Sequence, residues 1–95
     1  MWTFLKLLYS ALILENCRRF NITNCSIFES RECGILLDNV NYVRVSDCMI
    51  LNENKNKIAL RLTNGINNMI TNNLFNEETD IPPQSAQLEN NLIIN

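Results

Sequence analysis

The chain contains no histidine. That removes the commonest general base, the usual Ser-His and Cys-His nucleophile pairs, and the usual zinc ligand. It has only two glycines and two prolines in 95 residues, so most of its turns must be made by other residues. Positive charge is not in excess either. Eight Lys and Arg against ten Asp and Glu leave a net charge of −2, whereas nucleic acid or an acidic membrane surface calls for clustered bases. No apolar run approaches the ~20 residues that span a bilayer. The longest, MWTFLKLLYSA, lacks a basic n-region, and Tyr9-Ser10-Ala11 is a poor cleavage site, so it does not read as an export signal. Two readings of residues 1–10 stay open. Thr3, Lys6 and Ser10 share a helical stripe, which gives a short capping helix. Alternatively, Trp2 and Phe4 precede Cys25 and Ile27 by 23 residues and form the tail of a partial rung.

What the chain has in quantity is Asn, Ile and Leu. Asn is poor inside helices and strands, but it tolerates the left-handed conformation and hydrogen-bonds nearby backbone. With 46% of residues hydrophobic, the composition describes short strands joined by Asn corners in a single domain, not a disordered chain.

Those residues recur in order. LILENC (residues 12–17), ILLDNV (35–40), LRLTNG (60–65) and AQLENN (86–91) align on Leu14, Leu37, Leu62 and Leu88, at spacings of 23, 25 and 26. Asn16, Asn39, Asn64 and Asn90 follow two places later. A second register runs ITNC (22–25), VSDC (45–48) and ITNN (70–73), with corners at Asn24, Asp47 and Asn72. Apolar residues alternate within each piece, as in Leu12/Leu14, Ile35/Leu37 and Val43/Val45, which is the period of a strand with one buried face. Three short strands and three corners fit one unit, and units stacked at about 4.8 Å place equivalent residues in columns. The expectation is an interior column of the four leucines beside an asparagine ladder of Asn16, Asn39, Asn64 and Asn90. Asn68 does not fit: it falls where Phe20 and Val43 point inward, so the chain is expected to bulge or shift register there.

The pattern L-x-L-x-N, then V-x-V-S-x-C-x-I, resembles the right-handed parallel β-helix repeats of the pectin-lyase-like superfamily. The resemblance implies an all-β solenoid over residues 11–95, with rungs starting near 11, 34, 59 and 86, as the end portion of a longer stack. The leucine-rich repeat is the nearest competitor, but its Asn lies three places after the Leu, not two. Left-handed hexapeptide helices would show a six-residue period, and none is present. The resemblance also implies a polysaccharide partner and an extracellular or cell-envelope location. The family's N-T-D, D-D, G-H-G and R-I-K enzyme blocks are missing. Arg44 alone matches the arginine base of pectate-lyase-like members, and no Asp cluster surrounds it, so it reads as structural. The expected function is therefore a structural or carbohydrate-interaction module without its own catalytic site. The alternative is a fragment of a polysaccharide lyase or glycoside hydrolase whose active site lies in further rungs.

Cys25 and Cys48 share a repeat position and are expected as stacked, free, buried thiols, as are Cys17 and Cys33. In-register side chains run parallel and rarely reach disulfide geometry, and no C-x-x-C metal pair exists. Glu15, Asp38 and Glu89 align beside the Asn positions, with Thr63 completing the column. Stacked carboxylates supply the oxygens Ca²⁺ or sugar hydroxyls would use, with Glu15 and Asp38 as the candidates. The competing reading is a solvated face relieved by Arg18, Arg19 or Arg61. Residues 29–34, 52–57 and 76–85 are expected as polar loops on one edge, available for recognition or merely soluble. Open solenoid ends expose edge strands, so self-association or docking onto a neighbouring domain is expected.

Overall fold

A computed structural model describes residues 10–28, 33–51 and 58–94. Residues 1–9, expected as a cap or partial rung, and residues 29–32 and 52–57, expected as loops, lie outside the described residues. Among the described residues ten strands follow in chain order: β1 (Ser10–Thr23), β2 (Ser26–Ile27), β3 (Cys33–Ser46), β4 (Met49–Ile50), β5 (Ile58–Ile66), β6 (Asn68–Thr71), β7 (Leu74–Phe75), β8 (Glu78–Asp80), β9 (Ala86–Glu89) and β10 (Leu92–Ile93). No helix occurs among the described residues.

Among the described residues every pairing is parallel, and the pairs fall into three columns. The first half of β1 lies under the first half of β3, followed by β5 and β8. The second half of β1 lies under the second half of β3, followed by β6 and β9. The third column is β2, β4, β7 and β10. Parallel neighbours require a crossover, and here the crossover of each strand is the other two strands of its coil. β1 and β3 each run through a corner without leaving the strand pattern. The bends within them are made by residues at positive φ: Asn16 (57°) and Arg19 (56°) in β1, Asn39 (58°) and Tyr42 (60°) in β3.

The interior holds files of apolar side chains. Leu12, Ile35 and Leu60 are in register, as are Leu14, Leu37 and Leu62, and then Ile22, Val45, Ile70 and Leu88. Ile27, Ile50, Phe75 and Ile93 form the file of the third column. Ile35, Leu37, Val45, Ile50, Leu60, Ile70 and Phe75 have no exposed surface. Each fully buried aliphatic chain contributes about 1.5–3 kcal/mol relative to exposure, and no single layer could bury its own file. The stack is the core.

The last coil differs from expectation. Leu88 stacks on Ile70, not on Leu62, so the leucine file has three members, and the segment beginning near 86 is a second strand instead of a rung start. The coil opens at β8, inside the stretch 76–85 read as a loop, because Glu78-Thr79-Asp80 pairs with β5. Its polar sequence hides the strand: Arg61 lies opposite Asp80 and bonds it through Nε at 3.0 Å. The first corner of this coil is a turn from Pro82 to Ser85, closed by the Ser85 N–H on the Pro82 carbonyl at 3.0 Å, with Pro83 at the position that favours proline. Cys33 and Gly34, likewise assigned to a loop, belong to β3 and are buried.

The irregularity expected at Asn68 lies upstream of it: Asn68 itself stays in step with β3, between the Asn41–Ile66 and Arg44–Met69 pairs, and is buried. The β3–β5 register shifts between Leu37 and Asp38 and again between Asp38 and Val40. Gly65 sits opposite Val40 with φ of 147°, and a Cβ there would lie 1.9 Å from the Val40 carbonyl oxygen. Only glycine fits.

Candidate functional site

The second corner of each coil is built from two adjacent residues. The first takes positive φ: Asn24 (57°), Asp47 (57°), Asn72 (58°) and Asn90 (55°). Asn and Asp adopt this conformation at least cost after glycine. The second residue points inward: Cys25, Cys48, Asn73 and Asn91. The bend withdraws one N–H and one carbonyl of each corner from the ladder between coils. Buried without partners, each would cost about 1–3 kcal/mol.

The inward residue of the coil above supplies the partners. Asn73 Oδ1 accepts the Cys48 N–H at 2.9 Å, and its Nδ2 donates to the Val45 carbonyl at 3.2 Å. Asn91 repeats this one coil higher, accepting the Asn73 N–H at 3.1 Å and donating to the Ile70 carbonyl at 2.8 Å. Cys48 makes a weaker version below, its Sγ taking the Cys25 N–H at 3.4 Å and lying 3.8 Å from the Ile22 carbonyl. At the first corner Asn68 does the same, accepting the Val43 N–H at 2.9 Å and donating to the Val40 carbonyl at 3.1 Å. A carboxamide carries an acceptor and two donors, so it stands in for a peptide group. Asn68 and Asn73 are 2% and 3% exposed, and these amides, with Asn91, are the ones the architecture depends on.

The expected ladder of Asn16, Asn39, Asn64 and Asn90 does not form as a unit. Asn39 Nδ2 donates to Asn16 Oδ1 at 2.7 Å. The register shift then carries Asn64 onto Asp38, whose Oδ1 accepts from Asn64 Nδ2 at 3.1 Å and Thr63 Oγ1 at 2.6 Å. Asn90 belongs to the other corner, one place after the Thr71–Glu89 pair. The inward amides had a signal in the sequence: Asn73 aligns with Cys25 and Cys48, and Asn68 with Val43. A polar residue in an apolar file marks a buried hydrogen-bonding duty.

Cys17, Cys25 and Cys48 are free thiols, and Cys33 and Cys48 are buried. Burial pushes the Cys48 thiol up to about 11. Glu15 and Asp38 are directly opposite each other on β1 and β3, whereas Glu89 lies opposite Thr71 in the second column. The expected three-carboxylate column is therefore split between two faces, and no group of three metal-ligating side chains occurs among the described residues. The hydrogen bonds from Thr63 and Asn64 lower the pKa of Asp38. Arg44 is exposed and lies between Asn21 and Met69.

The outer face of the second column carries the stripe Asn21, Arg44, Met69 and Gln87 in register. Beside it, at the first corner, Arg19, Tyr42 and Asn67 all take positive φ, and Tyr42 is half exposed with Arg18 6.0 Å from its ring centre. The Pro82–Ser85 turn leaves a shallow groove of about 420 Å³ at the top of this face, lined by Asn67, Asn68, Met69, Gln84, Ala86 and Gln87.

The sequence matches the family described as right handed beta helix region over residues 3–95. No curated protein and no solved structure gives a match. Three columns of parallel strands, wound so that each coil covers the last, are what that family describes, and the chain belongs to the right-handed β-helix family.

Proposed function

We propose that the chain is a non-catalytic carbohydrate-interaction module, and that the groove at the top of the second column receives a polysaccharide. The observation that carries this reading is the lining: three carboxamides, of Asn67, Gln84 and Gln87, arranged about Met69 on an exposed face. Carboxamides both donate and accept, which matches sugar hydroxyls, and the Met69 thioether offers an apolar, polarizable contact for the C–H face of a ring. Arg44 and Tyr42 continue the surface one coil below, extending it along the helix axis for a chain longer than one sugar. The scaffold under the groove is rigid, since Asn68 anchors its floor through the Val43, Val40 and Ser85 backbone groups.

A glycan array, followed by calorimetry on any positive polysaccharide, tests the proposal. Gln87→Ala and Met69→Asp are expected to weaken binding by about tenfold each, the loss of about 1.4 kcal/mol. Absence of binding to neutral and acidic polysaccharides at millimolar sugar would refute it. A lyase assay on acidic polysaccharides, with and without Ca²⁺, runs alongside. Turnover that is lost in Arg44→Ala would overturn the non-catalytic reading and place the chemistry on this chain.

A further inference from the structure

Positive φ is costly for a residue with a Cβ unless its side chain is short and polar. Among the described residues, every non-glycine position in that region is Asn or Asp, except Arg19 (φ 56°) and Tyr42 (φ 60°). The two are stacked. Arg18 pairs with Asn41, and Asn41 with Ile66, so the next residues, Arg19, Tyr42 and Asn67, hold one position of the first corner in successive coils. Asn67 shows that asparagine closes this corner. The two lower coils carry costlier residues there, and neither side chain is buried in return: Arg19 is exposed and Tyr42 is 50% exposed. Backbone strain that packing does not repay marks a position held for binding.

The charges around Tyr42 point the same way. Arg18 stands 6.0 Å from the ring centre, and Arg44, two residues along β3, is exposed. Among the described residues Arg18, Arg19 and Arg44 take part in no ion pair, the one such pair being Arg61 with Asp80. The described carboxylates of these two coils lie off the corner: Glu15 and Asp38 face each other on the first column, and Asp47 sits at the second corner. A chain of net charge −2 thus gathers unpaired guanidiniums about one exposed ring.

We infer that the first corner is an anion subsite of the glycan surface, holding a sulfate ester beside a sugar ring that packs on Tyr42. This rests on the glycan reading above and adds the chemical class, a sulfated polysaccharide. A carboxylate has two coplanar oxygens, which one guanidinium fork satisfies. A sulfate ester turns three terminal oxygens in different directions, so forks from Arg18 and Arg19 in one coil and Arg44 in the next each find an acceptor. The Tyr42 ring supplies the flat apolar face, and its hydroxyl a further hydrogen-bonding group.

Calorimetry against dextran, carboxymethyl-dextran and dextran sulfate of one chain length tests this, at a physiological salt that screens exposed charges beyond about 8 Å. Dextran sulfate is expected to bind about tenfold tighter than either of the others, or better. Arg19→Asn and Tyr42→Asn are each expected to cut that preference about tenfold while raising the thermal midpoint of unfolding, because asparagine takes this corner without strain. Weaker binding in a more stable chain is a result that a merely structural role would not give. Arg61→Ala, which removes a charge from another face, is expected to leave the preference unchanged. Equal binding of dextran and dextran sulfate overturns the inference and leaves the groove reading standing, whereas failure of all three to bind removes both. Carboxymethyl-dextran that binds as tightly as dextran sulfate overturns it too. So does single-stranded DNA that binds as tightly, since charge alone would then explain the result, and so does an Arg19→Asn or Tyr42→Asn chain that keeps the preference.

Discussion

Replacing Asn73 by alanine separates the buried carboxamide from the rest of the stack. Asn73 is 3% exposed and sits between coils. Its removal leaves the Cys48 N–H and the Val45 carbonyl without their partners at 2.9 and 3.2 Å. Two buried backbone groups at about 1–3 kcal/mol each give an expected loss of about 2–6 kcal/mol. Asn91 Oδ1 also loses the Asn73 Nδ2 bond at 2.9 Å, though it keeps the Asn73 N–H. Small domains hold only about 5–15 kcal/mol in total, so the loss is a large share. The chain itself supplies the control, because cysteine occupies the equivalent site at position 48 with longer contacts of 3.4 and 3.8 Å. Asn73→Cys should therefore fall between the parent and Asn73→Ala. The converse, Cys48→Asn, should be neutral or stabilising, since it offers a full amide to the Cys25 N–H and Ile22 carbonyl. Urea unfolding followed by circular dichroism, at unchanged m-value, measures all three. A loss under about 0.5 kcal/mol in Asn73→Ala, smaller than a single net hydrogen bond, or equal losses in the Ala and Cys variants, would refute the reasoning.

Two more outcomes follow from single positions. Gly65→Ala is expected to cost about 3 kcal/mol or more, because the new methyl meets the Val40 carbonyl at 1.9 Å in a backbone of φ 147°; a thermal midpoint within a degree or two of the parent would contradict this. Burial raises the Cys48 thiol to about 11 from 9.0, so the folded chain holds a proton that the unfolded chain releases first. That contribution is whole below about pH 9 and is lost as pH rises through about 11. Urea midpoints across this window should fall further for the parent than for Cys48→Ser, and parallel curves would argue against it.

The Leu12/Leu14 and Ile35/Leu37 alternations, and the repeat of ITNC as VSDC, carry the solenoid in plain view. Local backbone chemistry and one buried face are short-range properties, and a chain with only two glycines must show its corners as Asn and Asp. The positive φ of Asn24, Asp47 and Asn72 was legible for that reason. The groove was not. It exists because the top coil is shorter than those below and crosses Met69 with a tight Pro82–Ser85 turn, and the polar strand Glu78–Asp80 gave no alternation to reveal it.

By itself, the sequence determined that strands stack in parallel coils and that Asn turns them, because period two and left-handed propensity are written residue by residue. Only the tertiary structure decided which asparagines matter most. Whether a carboxamide faces water at Asn90 or fills the corner beneath it at Asn91 depends on a register that is set between coils, where a one-residue slip exchanges inside for outside.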